Sequence, residues 1–141
     1  MHKIFLSSIL IFIVFILISS CSEDNPTEPG NPNVSEPNPT LSSIQSKVFT
    51  TTCALTGCHG NSGTQANLNL TNGQSFTNLV GVTSLLSPPS KRVVAGDSEN
   101  SILIKRITGQ VSPRMPLNRA KLSDAIIDSI AKWIDNGALN N

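Results

Sequence analysis

Apolar residues are distributed along this chain in three unlike ways. From Ile4 to Ile18 they form a run of 15 residues broken only by Ser7 and Ser8. Residues 22–40 hold a single apolar side chain, Val34. Beyond residue 40 the apolar positions become periodic, and the periods are those of helices. The clearest is near the end, where Ile126, Ile127, Ile130, Trp133 and Ile134 recur at i, i+1, i+4, i+7 and i+8. That spacing lays one stripe along a helix. Ser123 stands where an N-cap belongs, Asp124 follows in the first turn, and Gly137 is placed to end the helix. A helix is also predicted from Ser42 to about Thr52, with Ile44, Val48 and Phe49 turned inward and Ser42 and Gln45 spaced as a capping box. A third follows Asp97 as N-cap, with Leu103 and Ile107 on one face and Ile104 beside them. A short one fits Ser75–Val80. No Val/Ile/Thr alternation lasts long enough for a sheet. The expected fold class is all-α, a small helical domain with long loops.

The N-terminal run changes the picture of where the chain works. Fifteen helical residues span about 22 Å, short of the roughly 30 Å hydrocarbon core of a bilayer. With Lys3 before it and Ser19-Ser20-Cys21 after it, the run reads as a signal peptide over residues 1–20. An uncleaved membrane anchor is the alternative, and either reading exports the rest. "LISSC" at residues 17–21 resembles a bacterial lipobox, which implies acylation of Cys21 and anchoring to a membrane. Residues 21–40 then form a tether: five of the nine prolines lie there, with four acids and no base. Such a composition cannot bury enough surface to offset its ordering entropy. Residues 41–141 carry nine bases against five acids. A whole-chain charge of only +1 argues against nucleic-acid binding, which needs a basic face.

The expected domain from 41 to 141 has only three aromatic residues, Phe49, Phe76 and Trp133. A core so light in large side chains invites a covalent or cofactor staple. Its loops are also long for a small helical fold, which becomes reasonable if they wrap something large and apolar.

The chemistry-bearing residues sit where the first helix ends. "CALTGCHG" places Cys53, Cys58 and His59 in a Cys-x4-Cys-His arrangement, and His59 is the one histidine after residue 2. The x2 form of this pattern attaches c-type haem: two thiols add to neighbouring vinyl groups, and the adjacent histidine ligates iron. Two extra residues demand a bulged loop, for which Gly57 supplies backbone freedom. A six-coordinate haem needs a second axial ligand. Met115 is the one methionine after residue 1, and Pro113 and Pro116 hold its surroundings out of any helix. Three other readings use the same residues. A Cys53–Cys58 disulfide would staple a haem-free binding module. A zinc site would need a distant carboxylate as fourth ligand. A haem with an open sixth position would suit an enzyme or sensor. Lys91, Arg92 and Arg114 are candidates for neutralising haem propionates or for a basic docking face.

With these residues in order, the chain from 41 to 141 resembles a small class I type cytochrome c, in particular the planctomycete-type cytochrome c family. The resemblance runs through the haem motif at Cys53–His59, "LNL" at Leu68–Leu70, "VAGDSENSILIKRI" at Val94–Ile107, "RMP" at Arg114–Pro116 and "IAKWIDNGA" at Ile130–Ala138. The x4 spacing departs from the family's x2. The resemblance implies a helical domain wrapped around one haem c bound through Cys53 and Cys58, with His59 and Met115 as axial ligands and Trp133 packed near the ring. The function it implies is electron transfer rather than enzymatic turnover. The expected protein is an exported, lipid-anchored monohaem cytochrome, periplasmic or on the cell surface, that meets redox protein partners transiently.

Overall fold

The computed structural model describes residues 35–61 and 64–141. The expected signal peptide, Cys21 and most of the expected tether therefore lie outside the described residues. The described part is mostly helical, as the periodicity predicts. The elements are α1 (Leu41–Ile44), which continues unbroken as a π-helical stretch (Gln45–Cys53), a 3-10 turn (Gln65–Asn67), α2 (Ser75–Leu79), α3 (Ile102–Thr108) and α4 (Asp124–Asp135). Among the described residues there is no strand; the 80–97 segment makes only isolated bridges, Val80 with Val93, Thr83 with Lys91 and Val94 with Asp97.

α4 is the central post. All five residues of its predicted stripe are buried, with Trp133 1% exposed. Ser123 caps it by accepting from the Ile126 N–H, and Gly137 follows the C-cap in the left-handed region at φ +99°. α1 and α3 both pack against it. The core joins Ile44, Val48 and Phe49 of the first helix to Leu79, Val93, Ile104 and Ile107.

The last residue closes the fold onto the first helix. Asn141 accepts from the Leu41 N–H through its side chain at 3.0 Å and from the Ser42 N–H through its carbonyl at 2.8 Å. These are two of the amides that a helix N-terminus leaves without internal partners. Contacts also reach back before residue 41: Pro37 is buried, and the Asn38 N–H donates to Ser43 Oγ at 2.9 Å.

Two caps differ from the sequence expectation. Thr40, not Ser42, caps the first helix, accepting from the Ser43 N–H at 3.3 Å. Gln45 turns inward instead of completing a capping box. Its amide donates to the Leu70 carbonyl at 2.9 Å and to Thr50 Oγ1 at 3.1 Å, and it accepts from the Ser75 hydroxyl. This buried network fastens the first helix to α2 and to the segment before it. Asp97 is not the N-cap of α3 either. Its carboxylate takes the Asn100 backbone and side-chain N–H groups, and α3 starts later with Ser101 as N-cap. The first amides of α3 instead donate to the carbonyls of Lys91 and Arg92, at 3.1 and 2.9 Å from Ile102 and Leu103.

Gln45→Leu is expected to cost about 1–3 kcal/mol, because a buried carbonyl and hydroxyl lose their partner. Urea unfolding followed by circular dichroism checks this. A loss within a few tenths would mean that water replaces the amide.

Candidate functional site

The π-helical stretch delivers Cys53 to the edge of the core. Its last turn closes when the Ala54 N–H donates to the Phe49 carbonyl at 2.7 Å. Short π segments inside helices occur often at functional positions, because the extra residue per turn re-aims the side chains that follow. The chain then folds back on itself. Cys58 N–H donates to the Leu55 carbonyl at 3.0 Å, and His59 N–H reaches the Cys53 carbonyl at 3.1 Å. Gly57 takes φ +79° at the turn. Gly60 seals the loop: a Cβ there would lie 2.7 Å from the Ala54 carbonyl oxygen and 3.0 Å from that of Leu55. Cys53, Cys58 and His59 are thus held by one compact backbone loop.

Both cysteines are free thiols. Cys53 is half-buried against the core and Cys58 is exposed. Burial pushes the Cys53 thiol up to about 12, and Cys58 beside it adds to the shift. Cys53 is therefore held as the protonated thiol at neutral pH.

His59 is half-buried, and its Nδ1 is buried with no hydrogen-bond partner. Burial lowers its pKa from the ordinary imidazole value. The nearby carbonyls of Leu68 and Gln65 oppose that shift, and the positive charge of Arg92 adds to it. The walls around His59 come from the segment that returns after the motif. Gln65 N–H donates to the Cys58 carbonyl at 2.9 Å and Leu70 N–H to the His59 carbonyl at 2.8 Å.

Met115 lies in a non-helical loop, as the prolines require. Its N–H donates to the Arg106 carbonyl at 2.9 Å, and its side chain is half-buried against the same core that Cys53 borders. Among the described residues no hydrogen bond joins this loop to the cysteine–histidine loop. The structure thus brings Cys53, Cys58 and His59 together, while Met115 shares with Cys53 only the edge of the core. Among the described residues no group of three or more His, Cys, Asp or Glu could hold a metal by itself.

The basic candidates separate. Lys91 is exposed and donates to Thr83 Oγ1 at 2.9 Å. Arg114 donates to the Arg119 carbonyl through Nη2 at 2.9 Å, while its Nη1 is buried without a partner. Arg92 is buried, and its guanidinium is taken up by backbone: Nη1 donates to Asn78 at 2.8 Å, and Nη2 to Ala66 and Asn67 at 2.8 and 3.2 Å. These bonds turn Arg92 inward, away from the role of a solvated docking charge.

Gly60 and the inward bonding of Gln45 and Arg92 escape the sequence reading. Gly60 had a signal, a glycine directly after the motif histidine. Nothing local distinguishes Arg92 from Lys91.

No family model, curated protein or solved structure matches the chain.

Proposed function

We propose that residues 41–141 form a monohaem c-type cytochrome domain that transfers electrons, similar to the planctomycete-type cytochromes c. The observation that supports this most is the location of the unpartnered polar atoms. Among the described residues only His59 Nδ1 and Arg114 Nη1 are buried side-chain nitrogens or oxygens lacking a hydrogen bond. Buried polar groups are nearly always paired, so each exception needs a reason. One belongs to the motif histidine and the other to the residue before Met115. These are the two segments from which axial ligation is expected.

The donor set fits haem c. Cys53 and Cys58 are free thiols on one loop and would hold the group through thioethers, with His59 and Met115 as axial ligands. Haem so bound supplies one-electron chemistry, and a thioether ligand raises its potential. The chain's own part is to fix the ligand loops and to limit water at the core edge with Phe49, Leu68 and Met115. Arg114 Nη1 and exposed Lys91 are the groups left to meet propionates or an acidic redox partner. With His59 and Met115 both engaged in holding the group, no ligand position would be left for a substrate, so the domain would carry electrons rather than act as an enzyme. The signal peptide, lipidation at Cys21 and tether would place it outside the cytoplasm on a membrane, periplasmic or at the cell surface. There it would meet redox protein partners transiently at raised local concentration.

The test is the absorption spectrum of the full chain exported in a host that matures c-type cytochromes, before and after dithionite and after acid-acetone extraction. Sharp reduced bands that survive extraction are expected. Met115→Ala should keep the bands but lose low-spin character and lower the potential. A Met115→Ala protein with an unchanged spectrum would favour an open sixth site and a sensor or enzyme. A colourless product, beside a coloured control cytochrome, would overturn the reading and leave a disulfide-stapled module.

A further inference from the structure

Arg92 is 8% exposed, and among the described residues no carboxylate pairs with it. An arginine buried without an acid is costly, and it persists only where its donors are well used. Here they bind three carbonyls: Asn78 near the end of α2, and Ala66 and Asn67 in the segment returning from the cysteine–histidine loop. Those last two residues are in an unusual state. Ala66 and Asn67 take φ +56° and +52°, two successive non-glycine residues in the left-handed region. The cost is about 1–2 kcal/mol for each, so something must hold them there. Their carbonyls both accept from Nη2, which the left-handed turn makes possible.

The clamp is anchored on its own side as well. Arg92 N–H donates to the Val82 carbonyl at 2.8 Å, and the Arg92 carbonyl accepts from Leu103 at the start of α3 at 2.9 Å. On the far side, Gln65 and Leu70 bracket the clamped residues, and their N–H groups donate to the carbonyls of Cys58 and His59. Carbonyls from this same segment, those of Gln65 and Leu68, lie near the His59 ring. Hydrogen bonds joined by a few residues of backbone therefore link α3 through Arg92 to the backbone around His59.

We propose that Arg92 is a positioning residue for His59: its guanidinium pins the Ala66–Asn67 turn, and that turn sets the orientation of the imidazole. The inference rests on the haem reading for its consequence, the geometry of an axial ligand, but not for its test. His59 reaches its final orientation through a residue 33 positions further along the chain. Two nitrogens of a rigid fork are needed, since Nη1 and Nη2 serve different segments. A lysine has one.

The test uses the full chain as purified from the maturing host, in wild-type, Arg92→Gln and Arg92→Lys forms, with Ser123→Ala, which removes the N-cap of α4, as a control. Amide hydrogen exchange is read at Gln65 and Leu70 and compared with α4; the reduction potential and axial-ligand spectrum are read where the protein is coloured. In both Arg92 variants exchange at Gln65 and Leu70 should rise roughly tenfold beyond any change in α4, the scale of a lost hydrogen bond or two. The potential should shift with it. Ser123→Ala should lower stability without that local signature. If lysine restores wild-type exchange, charge alone matters and the clamp is wrong. If protection falls evenly across α3, α4 and the loop, Arg92 is a general core residue and the proposal also fails. A colourless wild-type protein would sink the haem reading, while the exchange pattern would still decide the role of Arg92.

Discussion

Trp133→Ala is expected to be the most damaging single truncation in the domain. Trp133 is the chain's one tryptophan, it is 1% exposed, and it sits toward the C-terminal end of the buried stripe of α4. Its indole N–H donates to the Leu139 carbonyl at 2.8 Å, and its own carbonyl accepts from Ala138. The side chain thus holds both the core and the turn that ends α4. Removing it leaves a cavity and an unpaired carbonyl, a loss of about 3–5 kcal/mol. Against a total of about 5–15 kcal/mol for a typical domain, the variant should be partly unfolded at 37 °C. Its melting point should fall by more than about 12 °C. Circular dichroism is the proper readout, since the variant has no tryptophan fluorescence. Trp133→Phe should lose appreciably less, because the ring still fills most of the space. Equal losses in the two variants would mean that the hydrogen bond to Leu139, and not packing, dominates.

Gly60→Ala should strike the cysteine–histidine loop itself. A methyl group at Gly60 would meet the Ala54 and Leu55 carbonyl oxygens at 2.7 and 3.0 Å. Both are backbone atoms and cannot swing aside as a side-chain tip can. Overpacking of this kind costs about 1–3 kcal/mol, and here the displaced atoms belong to the loop that spaces Cys53 from Cys58. The expected result is a lower urea midpoint together with, on the proposed cytochrome reading, reduced covalent haem per chain. Gly57→Ala is the matched control. It meets no atom within 4 Å and pays only for its left-handed φ of +79°, about 1 kcal/mol. If the two alanines cost the same in both stability and haem, close approach at Gly60 is not what shapes the loop.

How far the sequence could be read depended on which forces were local. α4 was legible because its apolar period, its serine cap and its terminal glycine all agree. The first helix and α2 were legible in place, though not in detail. The π-helical path of Gln45–Cys53 leaves no sign in an apolar pattern whose members, Ile44, Val48 and Phe49, also suit an α-helix. Gln45 has the spacing of a capping box, but the carbonyl of Leu70 and the hydroxyl of Ser75 bind it more effectively from within the fold. Asp97 looked like a cap for α3 because acids cap helices; the amide groups of Asn100 claim it first. At the site, the grouping of Cys53, Cys58 and His59 was legible because they lie within seven residues, and one backbone loop holds them. Arg92 was not, since its partners are backbone carbonyls of Ala66, Asn67 and Asn78, and carbonyls have no sequence signature.

The bonds that the Leu41 and Ser42 N–H groups donate to Asn141 make the fold nearly a ring, with α1 and α4 packed across the seam. A ring has no preferred place to be cut. Covalent closure of that seam by a short linker, with new ends opened in the exposed Leu85–Leu86 loop, should yield a circular permutant with the same core. It also means that a bulky tag fused directly to residue 141 would press against the start of α1, whereas one placed in that loop would not.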